Sequence, residues 1–318
     1  MRISTFLPVI GIVIFFAVLS RVNVTEVINN FLKINIFLFL LSVGTVVLAI
    51  ILKAYRWKMI VESYGTSFPL RESFKAWLIG FSIGLITPGK IGDLARSYYL
   101  RKRESIGKSL TTVMADRVID VFILLILALI GLAFFTLLYV KNNFLLIIVS
   151  IVFVFFVASI FLFSRKEFST TILKPFYKYL PKKYKSGIKT VYGDFYAGVE
   201  IFLRKKALLS APIALTFLAW AIAILYTFLL ALSMNLAISY TFLFMTLPLI
   251  TLVLILPISL SGLGTREISF VFFLSYIGIS AESAISLSLM TLFVDYCVGI
   301  FGFGLWHKNP ITVGRSWG

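Results

Sequence analysis

The chain has 318 residues, of which 60% are apolar and 14% charged, with a net charge of +17 and a mean hydropathy of +1.02. A soluble domain carries about 25% charged residues, so this composition belongs to a polytopic membrane protein, and no polar block of about 100 residues remains to build a separate catalytic domain. A single cysteine, Cys297, excludes a disulfide within the chain and argues against a cysteine metal site; a single histidine, His307, does the same for His-pair metal sites and a Ser–His–Asp triad.

Residues 3–20 follow Arg2 and read as a first transmembrane helix rather than a signal peptide, because the chain stays apolar afterwards and no small-x-small cleavage site follows. Residues 31–52 form a second span; each is close to the roughly 20 residues that cross the hydrocarbon. Residues 53–117 are rich in basic side chains, from Lys53 and Arg56 to Lys108 and Arg117. Inside them lies a short apolar run, residues 76–86, that stops at Thr87-Pro-Gly-Lys-Ile-Gly-Asp93. It is too short to span, and charges of one sign flank it. It therefore reads as a re-entrant segment or as a helix lying in the interface. Asp116-Arg-Val-Ile-Asp120 opens a third span ending near Val140. Asp116 and Asp120 are four apart and share a face, near the expected helix N-terminus where negative charge is favoured. Dipole compensation with pairing to Arg117 is one reading of them; lining a cavity is the other.

Lys141-Asn-Asn143 is a tight turn, and residues 144–164 are the fourth span. Residues 165–210 form a second basic region, with 11 Lys and Arg against three acids. Within it Ile188, Val191, Tyr192, Phe195, Tyr196, Val199, Phe202 and Leu203 recur at three- and four-residue intervals, the pattern of an interfacial amphipathic helix. Residues 211–234 and 240–257 are the fifth and sixth spans, residues 268–279 are again short, and residues 283–306 form a final span. The regions 53–117 and 165–210 hold 23 of the 30 basic residues, whereas the turns at 141–143 and 234–239 hold one. In a membrane protein such an excess collects in cytoplasmic loops, so it predicts no nucleic-acid partner. It places both regions and both termini in the cytoplasm of a cell membrane. Residues 257–284 must then cross once without a complete helix, which draws residues 259–267 into the membrane. The expectation is an all-α, polytopic, single-domain membrane protein with about seven to eight spans and two broken or re-entrant segments.

Those two segments resemble each other. Ile83-Gly-Leu-Ile-Thr-Pro-Gly-Lys-Ile-Gly-Asp93 and Ile255-Leu-Pro-Ile-Ser-Leu-Ser-Gly-Leu-Gly-Thr-Arg-Glu267 are both apolar runs broken by one proline and two glycines. Each carries a hydroxyl residue, a cation and a carboxylate close together, and one lies in each half of the chain. Paired interruptions in matching places point to a transporter site built on an internal repeat, with chance as the competing explanation. The residues that would build it are Thr87, Pro88, Gly89, Lys90, Gly92, Asp93 and Arg96 in the first segment, and Ser261, Gly262, Gly264, Thr265, Arg266 and Glu267 in the second. Glycine lets backbone approach a ligand, restarting helices aim free N–H groups at the gap, and Arg grips phosphate in a bidentate way. Lys90, Arg96 and Arg266 would hold an anionic group, while Asp93 and Glu267 would balance them or receive a cationic headgroup. Asp295 lies midway along the final span, where a lone carboxylate costs about 2.5–3.5 kcal/mol on insertion scales, so it faces protein or water. It reads as a group acting in the site or partnering Arg266, or as a neutral structural group bonded to a neighbouring helix.

Three motifs taken in order, Thr87 to Asp93 with Arg96, Asp116-Arg117 through Asp120, and Pro257 through Gly262-Leu-Gly-Thr-Arg-Glu267, resemble the flippase-like transmembrane family. That family is typified by the membrane half of lysylphosphatidylglycerol synthase, the multiple peptide resistance factor; archaeal relatives occur in protein glycosylation. Asp93 and Asp116 stand where the family usually has Glu. The resemblance covers nearly the whole chain. It implies a membrane domain that moves lipids between leaflets, with membrane lipids as partners, and suggests homodimers; no cofactor or metal is expected from the residues. The aminoacyl-transferase domain of the full synthase is missing, so an aminoacylated lipid would have to come from a separate lipid-modifying enzyme. The expected activity is a flippase or scramblase for an anionic, aminoacylated or polyprenyl-phosphate lipid, and not an enzyme. A membrane glycosyltransferase or accessory factor using lipid-linked sugars, and a small-anion transporter, are the alternatives.

Overall fold

A chain this apolar must satisfy its backbone N–H and C=O groups internally, which leaves helices as the economical solution. A computed structural model describes residues 7–101, 103–140, 142–179, 182–204, 209–256, 259, 261–308 and 310, with the side chains of residues 7–11, 88, 176, 178 and 182–184 outside that description. Among the described residues there is no strand. The helices are α1 (Leu7–Leu19), α2 (Val24–Leu32), α3 (Ile36–Ser63), α4 (Leu70–Leu85), α5 (Arg96–Leu100), α6 (Ile106–Phe135), α7 (Phe144–Ser164), α8 (Lys166–Lys178), α9 (Lys182–Arg204), α10 (Ser210–Ser233), α11 (Tyr240–Ile255), α12 (Thr265–Ser275) and α13 (Ala281–Lys308).

Five of these, α3, α6, α7, α10 and α13, are long and apolar enough to cross a membrane, or six if α1 and α2, bent by 90°, count as one span. The number falls below the expected seven to eight for a physical reason. Tyr240–Ile255 has 16 residues, about 24 Å of helix at 1.5 Å per residue. That is short of a hydrocarbon core about 30 Å thick. It is one arm of a hairpin and not a span.

Two boundaries also differ from the sequence reading. The second span does not stop at Leu52; α3 runs on to Ser63, so Lys53 and Arg56 are helical residues and not the start of a loop. Ala54, Trp57, Ile60 and Val61 carry its apolar stripe onward and are buried. The third span starts at Ile106, where the Ser105 side chain caps the helix, so Asp116 and Asp120 lie well inside it. Dipole effects fade within the first turn, which removes the dipole explanation for both. The amphipathic helix of the second basic region is α9. Part of its stripe is covered by α6: Thr111 Oγ1 donates to the Phe195 carbonyl at 2.9 Å, and Tyr196 is buried.

The two halves of the chain repeat one plan. A long helix, α3 or α10, ends in a turn held by a left-handed residue, Gly65 at φ 90° or Asn235 at φ 55°. A 16-residue helix follows, α4 or α11. The chain then breaks, restarts as a short helix, α5 or α12, and turns into a second long helix, α6 or α13. Gly65 and Asn235, Leu70 and Tyr240, and Arg96 and Arg266 are each separated by the same number of residues. Asp120 and Asp295 are each the fifteenth residue of their helix.

The repeat is inverted. The Asn35 amide at the start of α3 donates to the Ser233 carbonyl at the end of α10 at 2.7 Å, so these helices run antiparallel. Asn30, at the end of α2, donates to Ser286 at the start of α13 at 3.2 Å. The starts of α3, α11 and α13 therefore share one face. The α11–α12 hairpin enters from that face and returns to it, and the α4–α5 hairpin does the same from the opposite face. Each hairpin packs on the long helix of the other half, α11 on α6 and α4 on α13. Glycines permit the approach: a Cβ on Gly131 would sit 2.6 Å from the Met245 carbonyl oxygen, and one on Gly302 would sit 2.5 Å from that of Leu78.

Candidate substrate cavity

The hairpin tips meet between the halves, where Ser261 Oγ donates to the Leu85 carbonyl. Both breaks are held in left-handed backbone. Gly89 and Lys90 have φ 60° and 56°, and Ser261, Gly262 and Gly264 have φ 52°, 80° and 82°. Lys90 and Ser261 are two of three non-glycine residues in that region among those described. A left-handed residue with a Cβ costs roughly 1–2 kcal/mol, so the surrounding contacts over-determine both breaks. In the first, Thr87 Oγ1 accepts from the Gly92 amide at 2.8 Å and donates to the Ile83 carbonyl at 3.0 Å. In the second, Ser259 and Thr265 hydroxyls bond at 2.9 Å.

Beside the tips lies a cavity of about 260 Å³, lined by residues of α3, α4, α6, α10, α11, α12, α13 and the first break. On one side, Asp93, Arg117 and Asp120 of its lining belong to a closed ring of alternating charge whose other members stand behind the wall. Arg56 donates to Asp116 at 2.7 Å and Asp120 at 2.9 Å. Asp116 accepts from Arg96 at 2.6 Å, and Arg96 reaches Asp93 at 3.2 Å. Asp93 pairs with Arg117, which closes the ring at Asp120 over 4.0 Å. Three arginines face three aspartates, so the ring is neutral. Asp116 and Arg96 are fully buried and Arg56 nearly so. Such groups require pairing and further hydrogen bonds. Thr216 supplies one to Arg56 at 2.9 Å, and the Trp57 ring lies 5.0 Å from the Arg96 guanidinium. Across the cavity Arg266 donates to Asp295 at 3.1 Å, to Thr291 at 3.2 Å and to the Ser261 carbonyl at 3.0 Å.

Two cations remain. Lys53 and Lys90 both line the cavity, and neither has a carboxylate oxygen within 4.0 Å among the described residues. An arrangement of paired arginines plus two lysines without a carboxylate partner offers a positive field for an anion.

Apart from Glu267 and Pro88, the residues singled out from the sequence fall into three groups. Lys90, Asp93, Arg117, Asp120, Arg266 and Asp295 line the cavity. Arg96 and Asp116 stand behind it in the ring, and Thr87, Gly89, Gly92, Ser261, Gly262, Gly264 and Thr265 shape the two breaks. Glu267 stands apart: its carboxylate accepts from the Gly264 amide at 2.6 Å and from Ser288 at 2.9 Å, capping α12. Asp93 is held by Arg96 and Arg117 through one oxygen, Oδ2. The Pro88 side chain, Pro257 and residues 1–6 and 311–318 lie outside the described residues. Sequence reading missed the roles of Lys53, Arg56, Trp77, Thr216, Trp220 and Tyr226. Lys53 and Arg56 carried a usable signal, since they continue the helical register of the second span toward Trp57 and Ile60. Thr216, Trp220 and Tyr226 are unremarkable residues of an apolar helix and carried none.

The description lysylphosphatidylglycerol synthase TM region matches residues 5–302. The chain is 27% identical to a UPF0104 membrane protein of Methanocaldococcus jannaschii, over 92% of this chain and 90% of that one. It is 24% identical to one of Methanothermobacter thermautotrophicus, over 91% and 90%, and 22% identical to one of Pyrococcus horikoshii, over 92% of each. No solved structure matches it. With nearly its whole length matched, the chain belongs to the lysylphosphatidylglycerol synthase transmembrane-region family.

Proposed function

We propose that the protein moves lipids between the leaflets of a cell membrane, as a flippase or scramblase, and is not an enzyme. One observation carries this: a charged cavity with two unpaired lysines, Lys53 and Lys90, lies where two inverted re-entrant hairpins meet among membrane-spanning helices. Charge at that depth is costly and marks a pathway. Inverted repeats with interrupted helices around a central site suit alternating access. In this reading the headgroup occupies the cavity, the acyl chains stay in the bilayer, and the basic regions and both termini face the cytoplasm. The ring holds the first hairpin against α3 and α6, and Arg266 with Asp295 holds the second hairpin against α13.

The test is reconstitution of the purified chain in liposomes carrying fluorescent phospholipids in one leaflet, beside the Arg266→Ala variant. Lipid movement above that of protein-free liposomes, reduced by Arg266→Ala, supports the reading. Equal movement with and without protein, across anionic and polyprenyl-phosphate lipids, refutes it.

A further inference from the structure

We infer that the group this cavity takes is a phosphate monoester or diphosphate without an ammonium, rather than a zwitterionic or lysine-bearing headgroup. The inference rests on the lipid-transport reading and names its substrate class. Charge decides it first. Every carboxylate in or behind the cavity is already engaged: Asp93 by Arg96 and Arg117, Asp116 by Arg56 and Arg96, Asp120 by Arg56, and Asp295 by Arg266. Glu267 is outside the lining and occupied by the α12 cap. The charge left over is that of Lys53 and Lys90.

Hydrogen bonding points the same way. Among the lining residues, the buried polar atoms without a partner are Arg266 Nε, the indole nitrogens of Trp77 and Trp220, the Tyr226 hydroxyl and Asp93 Oδ1. Three are N–H donors, and the hydroxyl can donate. The one pure acceptor, Asp93 Oδ1, is wedged against Gly80, where a Cβ would sit 2.9 Å from it. Among these buried atoms, unused donors therefore outnumber unused acceptors.

A phosphate monoester carries about −1.5 to −2 charges at neutral pH and three acceptor oxygens, which matches two lysines and a set of donors. A simple phosphodiester brings one negative charge, and an ethanolamine or choline head cancels it. A lysine-esterified glycerol head is net positive and would meet two ammonium groups in a low-dielectric site, with every carboxylate in or behind the cavity already engaged. A lipid phosphate and a soluble phosphate share this chemistry.

The experiment has two readouts. Proteoliposomes are scored for movement of fluorescent phosphatidic acid, phosphatidylcholine and lysyl-phosphatidylglycerol, and for uptake of inorganic phosphate. Separately, detergent-solubilised protein is titrated with short-chain phosphatidic acid, phosphatidylcholine and inorganic phosphate by tryptophan fluorescence, since Trp77 and Trp220 line the cavity. Phosphatidic acid should move at least tenfold better than the other two lipids and bind at least tenfold better than phosphatidylcholine. Lys53→Gln with Lys90→Gln should erase that preference, and Lys90→Arg should keep it. Binding with this preference but no lipid movement upholds the inference and sinks the transport reading; phosphate uptake without lipid movement assigns the soluble source with the same result. Equal or better handling of phosphatidylcholine or lysyl-phosphatidylglycerol, a preference that survives loss of both lysines, or binding of neither phosphatidic acid nor phosphate overturns it.

Discussion

Replacing Asp116 by Asn should cost more stability than any other single change in the ring. Its two oxygens take Arg56 at 2.7 Å and Arg96 at 2.6 Å, and Asp116, Arg56 and Arg96 are 0%, 2% and 0% exposed. Asn keeps the shape and one acceptor but removes the charge, leaving two guanidinium groups facing each other with only Asp93 and Asp120 to balance them and Arg117. Breaking a buried pair in this way costs about 3–5 kcal/mol, because the partner charge stays buried. That is a folding equilibrium shifted roughly 10²- to 10³-fold or more, at a tenfold change per 1.4 kcal/mol. Asp295→Asn is the internal control. Its pair with Arg266 is longer, 3.1 Å, and its side chain is 30% exposed, so solvent takes over part of its role. Its cost should fall below that of Asp116→Asn, because one partner keeps access to solvent. Both variants should be unfolded in the same detergent by a graded denaturant and compared with the parent chain. The double variant Asp116→Asn with Arg96→Gln should cost less than the sum of its parts, since the two share one interaction. If Asp116→Asn is no worse than Asp295→Asn, or the double variant is additive, the ring does not hold the first hairpin.

Two further outcomes follow from packing and from orientation. Gly302→Ala puts a Cβ 2.0 Å from Ser82 Oγ and 2.5 Å from the Leu78 carbonyl oxygen, so α4 and α13 must separate at a cost of roughly 1–3 kcal/mol, whereas Gly304→Ala meets nothing within 4 Å and should be neutral or slightly stabilising; matched thermal unfolding of the two variants checks this. A cysteine placed at Asn142, with Cys297 replaced by Ser, should react with a membrane-impermeant maleimide only from outside intact cells, and labelling only from the cytoplasmic side would reverse the proposed orientation.

Much of the architecture was legible because membrane helices leave a strong apolar signature. Residues 144–164 were delimited to the residue, since Asn143 and Arg165 bracket an uninterrupted apolar run. The two breaks were legible too, from proline and glycine where lipid forbids loose backbone. Helix ends near charge were not. Apolarity stops at Leu52 and begins again near Asp116, yet α3 runs eleven residues past the first point and α6 starts ten before the second. The reason is local. Protein–protein contacts within the membrane replace lipid there, so Arg56, Asp116 and Asp120 are paired with one another and a hydrophobic signal is no longer required to keep the helix.

The same pairing explains why the site itself was only partly readable. A count of basic residues places Lys53 and Arg56 in one basic stretch, yet one ends as a paired member of the ring and the other as an unpaired cation in the cavity. Spacing does not distinguish them, because both follow the same helix three residues apart. What separates them is the partner supplied from α6: Asp116 and Asp120 both reach Arg56, and no carboxylate of the described residues comes within 4.0 Å of Lys53. Lys90 differs from Arg96 in the same way, one turn or two along the first break. The functional charge of the cavity is therefore a difference between cations and the carboxylates that reach them. Only the packing of α3, α6 and the first break against each other sets that difference.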